Sequence, residues 1–393
     1  MKNLPLIILS VLAALFLFSC RSDQATDQEE HLSNEVPDVL PPPETDYESA
    51  EVKWGYIDQS GRTVIRPAFD EARSFSEGLA VVRVGGRWGY IDKTGRQIIP
   101  PTYKGAWAFR QGLARVETYE EGVGFIDASG AMIIPATWEA AGDFFEGLAW
   151  VRSADRYGFI NTKGELVIDT MLEKAGDFSE ETAIASKDGN YGLLQKNGQW
   201  LIPPLYQRIA PLSSELIRAK LNDRFGFLNP KNEWVIEPKF ADAQDFIDGH
   251  AIVADEEGTY GLITADGQYS LPPEYDMIIA AGENRWILSK KALFGLSDAQ
   301  GHMFTPIQFD QIYAFSEGVA PYLEGYLWGL LDTSGTKITP AQYGLLWPQK
   351  EGIARAAIRE GFTFINSQGE IVIDPHFQDV KDFSEGLAAV QLR

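Results

Sequence analysis

Acidic side chains recur at one spacing along this chain of 393 residues. Asp58, Asp92, Asp127, Asp298 and Asp332 each stand four residues after an aromatic or apolar residue that precedes Gly. Carboxylates placed at regular intervals are raw material for paired acid–base catalysis and for calcium loops. The same column, however, holds Asn161, Asn229 and Asn366. An amide cannot give or take a catalytic proton, yet its oxygen accepts the same backbone hydrogen bonds as a carboxylate. The column therefore reads as a set of turns. Calcium would need about six to eight converging oxygens, and Lys93 and Lys163 bring positive charge into these loops. The histidines, His31, His250, His302 and His376, are far apart, and Cys20 is the single cysteine. That combination supplies neither a clustered zinc-ligand set nor an intrachain disulfide. No GxxxxGK[ST] loop and no GxSxG elbow occurs. The expectation is a non-enzyme without a cofactor or metal.

Charge narrows the partners. The chain carries 34 basic against 56 acidic residues, a formal charge of −22. Such a surface repels phosphate backbones, so nucleic acid is excluded as a partner. Hydrophobic residues make up 45% of the chain, which is enough for a large core.

The tryptophans offer a binding chemistry instead. Trp54, Trp88 and Trp328 precede a Gly, and the other seven do not. Trp200, Trp234 and Tyr269 each lie nine residues after the corresponding aromatic of successive segments. Elsewhere that position is Thr63, Gln97, Met132, Leu166, Met303, Lys337 or Ile371. A position that accepts Thr, Gln and Lys is at least partly exposed. Three aromatics in a row there would form a ladder for a sugar chain or a partner's side chains. The competing reading is packing that covers the core between segments.

The elements that position these residues are copies of one unit. The aromatic-Gly step recurs at Trp54, Trp88, Val123, Tyr157, Tyr191, Phe225, Tyr260, Phe294 and Trp328, and in degenerate form at Phe362-Thr363, at intervals of 34 or 35 residues. Within Gly78–Ala106, Leu79–Val84 is β-branched and partly alternating, the pattern of a strand. Gly85-Gly86 suits a two-residue primed hairpin turn, which needs positive φ. Arg87–Asp92 is a second strand, Asp92-Lys93-Thr94-Gly95 a turn, and Gln97–Ile99 a third strand that Pro100-Pro101 ends. The Gly after the Trp permits close packing or a bulge. The Trp is expected to stack on its counterparts in neighbouring units.

WGYID-(x)2-G-(x)2-I-I-P-P followed by [F/Y]-x-E-G-L-A resembles the WG repeat of bacterial proteins, over Trp54–Arg393. The resemblance implies an all-β repeat domain, often on secreted or envelope proteins, and supplies no catalytic residues. Gln195 and Thr264 replace the turn acid, Asn232 replaces the turn Gly, and Glu181 and Glu215 stand where the E-G glycine belongs. These departures predict less regular packing near residues 170–285.

At the N-terminus, Lys2 precedes an apolar run, Leu4–Phe18, too short for a membrane span of about 20 residues. Leu17-Phe18-Ser19-Cys20 resembles a bacterial lipobox, which implies cleavage before Cys20 and its lipidation, with Phe18 departing from the usual small residue. Residues 21–53 are acidic and contain Pro41-Pro42-Pro43, a composition that favours a disordered tether.

The expected organisation is a lipoprotein signal peptide over 1–20, a tether over 21–53, and a WG-repeat β domain over 54–393. The fold class is all-β: ten three-stranded meander repeats in a propeller-like, toroidal array. An open β-solenoid superhelix is the alternative, since ten units exceed the usual number of propeller blades. The expected function is an envelope-anchored, non-catalytic binding or interaction scaffold. Cys20 is the lipidation site and the link to the membrane, with the outer membrane favoured. Trp200, Trp234 and Tyr269 are the candidate ligand contacts, and the partner is a protein or a glycan. A purely structural spacer is the competing reading, and a hydrolase with an unrecognised site a more remote one.

Overall fold

The computed structural model describes residues 52–212 and 216–392. The predicted leader, its lipidation site Cys20, most of the tether and Glu215 lie outside the described residues. Val52 and Lys53, at the end of the predicted tether, are described, and Lys53 pairs with Asp70 at 2.6 Å.

The repeat unit follows from local backbone chemistry. In the unit of Trp88, Leu79–Val84 pairs antiparallel with Arg87–Asp92 through Gly85 (φ 59°) and Gly86 (φ 78°). Both residues occupy the left-handed region that a primed turn requires. Asp92 Oδ1 then accepts the N–H of Thr94 at 2.9 Å and of Arg96 at 3.0 Å. Asn161 does the same for Lys163 and Glu165, each at 3.0 Å. The outer strand runs from Gln97 to Tyr103, so Pro100-Pro101 bends it rather than ending it. Trp88 pairs with Tyr103 but Tyr90 with Ile99, so two steps on one strand oppose four on the other. Prolines fit this bulge because it needs no ladder N–H there. The bulge folds back over Gly89, where a Cβ would lie 2.6 Å from the Ile99 carbonyl oxygen. That approach explains the Gly of the aromatic-Gly step. In the last unit Thr363 stands there instead, fully buried, with its hydroxyl donating to the equivalent carbonyl of Ile373.

To the three predicted strands the structure adds a short inner one, such as Gly105–Ala106 or Ala140–Ala141, so that most sheets have four strands. It joins the next strand through the Glu-Gly pair of the E-G-L-A segment. Glu77 (φ 52°) and Gly78 (φ 82°) are both left-handed. The pair is thus a hairpin turn in its own right, a role the sequence reading did not give it.

Numbering the sheets one to ten by their aromatic-Gly step, Trp54 to Phe362, the last belongs beside the first. Trp54–Asp58 pairs residue for residue with Gln391–Leu387. The C-terminal strand therefore completes sheet one, and the toroidal expectation holds. The core lies between sheets. Tyr90 of sheet two meets Phe109 of sheet three edge-on at 5.1 Å, and Phe125–Phe144, Phe159–Phe178 and Phe364–Phe383 repeat the contact at later joints. Such pairs contribute about 0.5–1.5 kcal/mol beyond their buried area. Cations add a second clasp. Lys381 lies 4.7 Å over Trp54 and donates to the Ala72 carbonyl at 2.7 Å. Arg73 lies 4.3 Å over Trp88 and donates to the Ala106 carbonyl at 2.9 Å. Among the described residues the aromatic-Gly side chains do not stack on one another, contrary to expectation. Trp54 and Trp88 carry these cations, Trp328 stacks on Tyr313 at 4.7 Å, and Tyr157 and Phe362 meet Trp150 and Trp347.

Two of the departures between 170 and 285 keep the local turn geometry of the other units. Asn232 takes the turn-Gly place at φ 66° and Glu181 the E-G glycine's place at φ 64°. Asn tolerates that region because its short polar side chain bonds locally. For Glu181, one N–H bond to the Glu146 carboxylate at 3.0 Å helps hold the turn.

The turn carboxylates give the fold an acid response. The Thr94 hydroxyl bond holds Asp92 below the usual carboxylate range, and Ser60, Ser129 and Ser334 do the same for Asp58, Asp127 and Asp332. A lowered folded-state pKa contributes stability above the unfolded value, about 3.9, and that stability is lost as pH falls through the folded values. Replacing these four Asp by Asn should lower the midpoint of thermal unfolding slightly at neutral pH, where the carboxylates contribute, and leave it close to the parent's in acid. It should flatten its decline below about pH 4 relative to the parent. Identical acid profiles would refute the role.

Candidate functional site

The predicted ladder residues open the outer strands of three consecutive sheets. Trp200 begins the strand of sheet five, Trp234 that of sheet six and Tyr269 that of sheet seven. Trp200 is half-buried and packs on the cluster around Ile168 and Leu172 of the preceding sheet. Trp234 is half-buried too, edge-on to Tyr206 at 5.7 Å. Tyr269 is 44% exposed. Among the described residues no ring contact joins the three.

They belong to something larger. The first two residues of the outer strand are exposed and apolar on further sheets: Met132 (42%) and Ile133 on sheet three, Leu166 (44%) and Val167 on sheet four. Val235 (47%) follows on sheet six, and Met303 and Phe304 on sheet eight. Ile371 (48%) and Val372 on sheet ten and Val64 on sheet one repeat the pattern, and on sheet five Trp200 and Leu201 are half-buried, so apolar strand starts recur on most sheets. The apolar arc they form thins at Gln97 and at Lys337, on sheets two and nine. Contiguous exposed apolar surface marks an interaction site on a soluble body. The column, Met132, Leu166 and Met303 included, was legible from its spacing. The residues one step on, Ile133, Val167, Val235 and Phe304, were not, because apolar residues there read equally well as core.

The opposite, inner edges of the sheets are polar. Glu77 accepts the N–H groups of Gln111 at 2.7 Å and Gly112 at 2.9 Å, both on the next sheet's hairpin turn. Glu317 does this for Glu351 and Gly352, and Glu351 for Glu385 and Gly386. Glu385 closes the circuit onto Gly78 at 3.1 Å. These links hold non-Gly residues in a left-handed conformation that they seldom adopt unaided. Lys93 of the Asp turn reaches the Glu385 carboxylate at 3.0 Å, so both kinds of turn share one end of the sheets. Among the described residues no three His, Cys, Asp or Glu side chains converge as metal ligands.

A cavity of about 640 Å³ lies at these inner edges. Residues of four sheets line it: Ser316 of sheet nine, Gln349 of sheet ten, Lys381 of sheet one and Ser74 of sheet two. Sheets pack about 10 Å apart, so one cavity touches four of them only on the side toward the ring's axis.

Compared with known families, nine stretches match the WG containing repeat: 54–88, 88–119, 124–156, 157–191, 191–224, 225–256, 294–328, 328–360 and 362–393. The chain belongs to the WG-containing repeat family. The longest stretch of the WG-repeat array left unmatched, 257–293, holds the hairpin turn Glu283-Asn284 where five other units have Glu-Gly, with φ 54° and 56°. No curated protein matches the chain. Among solved structures, one described as the eukaryotic initiation factor is similar, with a TM-score of 0.50 and 13% identity, covering 79% of this chain and 97% of that one. The computationally designed Ika8 protein has a TM-score of 0.35 and 13% identity, with 76% and 93% covered. BamB from Moraxella catarrhalis has a TM-score of 0.32 and 14% identity, with 63% and 89% covered. At 13% identity the likeness to the initiation factor concerns the fold alone.

Proposed function

We propose that this WG-repeat array is a non-catalytic interaction scaffold, tethered to the bacterial cell envelope by lipid on Cys20, that docks a protein partner on its apolar arc. The observation carrying the reading is the set of exposed Met132, Ile133, Leu166, Val167 and Val235 at the first two positions of the outer strand on sheets three, four and six. Branched aliphatic side chains have no flat face for a sugar ring, whereas they suit the desolvated centre of a protein interface. The recurrent Asp and Glu side chains hold turns, which leaves them poorly placed for acid–base chemistry.

The test uses the full chain in its native envelope with a photo-crosslinking residue at Val235 or, as a control, at Tyr326 on the far hairpins. The expected result is one discrete protein captured from Val235 and not from Tyr326. Leu166→Glu with Val167→Glu should abolish that capture while leaving the unfolding midpoint within a degree or two, since both sites are solvated. Cys20→Ser should move the protein from pelleted membranes to the soluble fraction. Equal capture from both positions, or capture that survives the charged pair, would overturn the docking surface. Retention of the serine variant in membranes would overturn the anchor.

A further inference from the structure

Sheet four ends in an edge that the other sheets guard. Its outer strand, Leu166–Leu172, is the last of its sheet, and among the described residues no strand pairs with its free side. The register with the aromatic-Gly strand passes from Ile168 to Leu172, leaving Asp169, Thr170 and Met171 out of the ladder. Every other sheet has proline at the fourth or fifth place of this segment, as at Pro67, Pro135, Pro238 and Pro375. Proline has no N–H to offer, and natural sheets use it to keep their edges from pairing. Sheet four has Asp169 and Thr170 in those places and so keeps both donors.

The side chains complete the edge. Leu166, Val167 and Met171 are exposed on it, and Leu205 is exposed at Met171's place on sheet five. Asp169 is exposed too, and among the described residues its carboxylate has no hydrogen bond or ion pair. Unpaired backbone groups along an edge are met by another extended backbone. Asp169 decides whose. Two copies of this chain pairing here in full overlap would set Asp169 against its counterpart, an unfavourable like-charge pair. A strand with Lys or Arg at its centre and apolar residues on either side would instead neutralise that carboxylate and cover Val167 and Met171. Resting on the reading of the apolar arc as a docking surface, we propose that the partner adds such a basic-centred segment as a further strand on the outer edge of sheet four.

The experiment places the photo-crosslinking residue at Met171 of the full chain in its native envelope, with His376, the same place on sheet ten, as control. Sheet ten has a similar run, Ile371-Val372-Ile373-Asp374, but continues with Pro375. Capture is expected from Met171 and not from His376. The crosslinked segment, sequenced and resynthesised, should carry Lys or Arg between apolar residues. That peptide should bind the purified full chain and protect the Asp169, Thr170 and Met171 amides from hydrogen exchange. Thr170→Pro should weaken it about tenfold or more, by removing a donor and crowding the added strand. The unfolding midpoint should not fall, because sheet ten already accommodates Asp-Pro there. Asp169→Lys, which leaves the backbone donors in place, should weaken the peptide as well, and replacing the peptide's central cation by Glu should restore it. Equal affinity in both variants, or capture of a second copy of this chain, would overturn strand addition. Capture from Val235 with none from Met171 would overturn it while the docking reading stands. No capture from either position would overturn both.

Discussion

A chain ending at Gly386 should lose its single unfolding transition, with an onset on the order of 10 °C lower. The removed strand, Leu387–Leu392, is the partner of Trp54–Asp58 over five consecutive pairs. Ala388, Ala389 and Val390 in it are buried to 1% exposure or less. Losing a buried Leu and Val contributes about 3–6 kcal/mol before the lost ladder is counted. In a molecule this size, each kcal/mol lowers the midpoint by about 2 °C or slightly more. Cooperativity should suffer as well. In an open array each unit contacts only its neighbours, so the ends fray first. In the intact ring every sheet has two neighbours. The truncated protein would also expose the aromatic core edge at Trp54, an unpaired strand prone to self-association. A synthetic peptide spanning 381–393 should restore the transition in proportion to its concentration, as any ligand of the folded state does. An unchanged melting profile after truncation would mean that the ring does not depend on that joint.

The second large effect lies in sheet eight. In most sheets a small residue on the second strand opposes a large one on the aromatic-Gly strand: Ala80 opposite Ile91, Ala149 opposite Ile160, Ala354 opposite Ile365. In sheet eight the sizes are exchanged, with Trp286 opposite Ser297. Trp286 is 2% exposed and packs with Ile252, Leu262 and Leu271 of the preceding sheet. Ser297 is fully buried and its hydroxyl has no hydrogen-bond partner among the described residues. Trp286→Ala should destabilise by about 3–5 kcal/mol through the cavity it leaves. Ser297→Ile alone should cost about 1–3 kcal/mol by overpacking. Made together they rebuild the Ala–Ile pair of the other sheets and should recover most of the loss. A double-mutant cycle by denaturant unfolding reads this as a coupling of at least about 2 kcal/mol. Additive effects would show that the two side chains do not share one space.

The exchange illustrates what a sequence column hides. Read singly, Trp286 is a tryptophan off the motif and Ser297 a polar residue where Ile is usual. Only their direct opposition shows that total volume is conserved. The clasps between sheets behave alike. Arg73 and Lys381 come from the inner segment, Arg115, Arg218 and Arg355 from the following strand, yet each donates to a carbonyl of the next sheet. No single column contains them. The predicted Trp200 and Trp234 have the converse history: their column suggested exposure, and packing on the neighbouring sheet leaves them half-buried.

By itself the sequence determined the period, the all-β class and the turns. These rest on demands that a few adjacent residues settle alone: positive φ at Gly85-Gly86, a side-chain acceptor at Asp92 or Asn161, no Cβ at Gly89. Tertiary structure decided the closed ring, the inner strand entered through Glu-Gly, the clasping cations and the surface left bare. The reason is geometric. Sheets that converge on an axis crowd at their inner edges, where carboxylates can reach the next turn. They diverge at the outer edges, where the same strand pattern leaves Leu166 and Val235 uncovered. A repeat records its own fold, but the space between copies depends on how many close the circle.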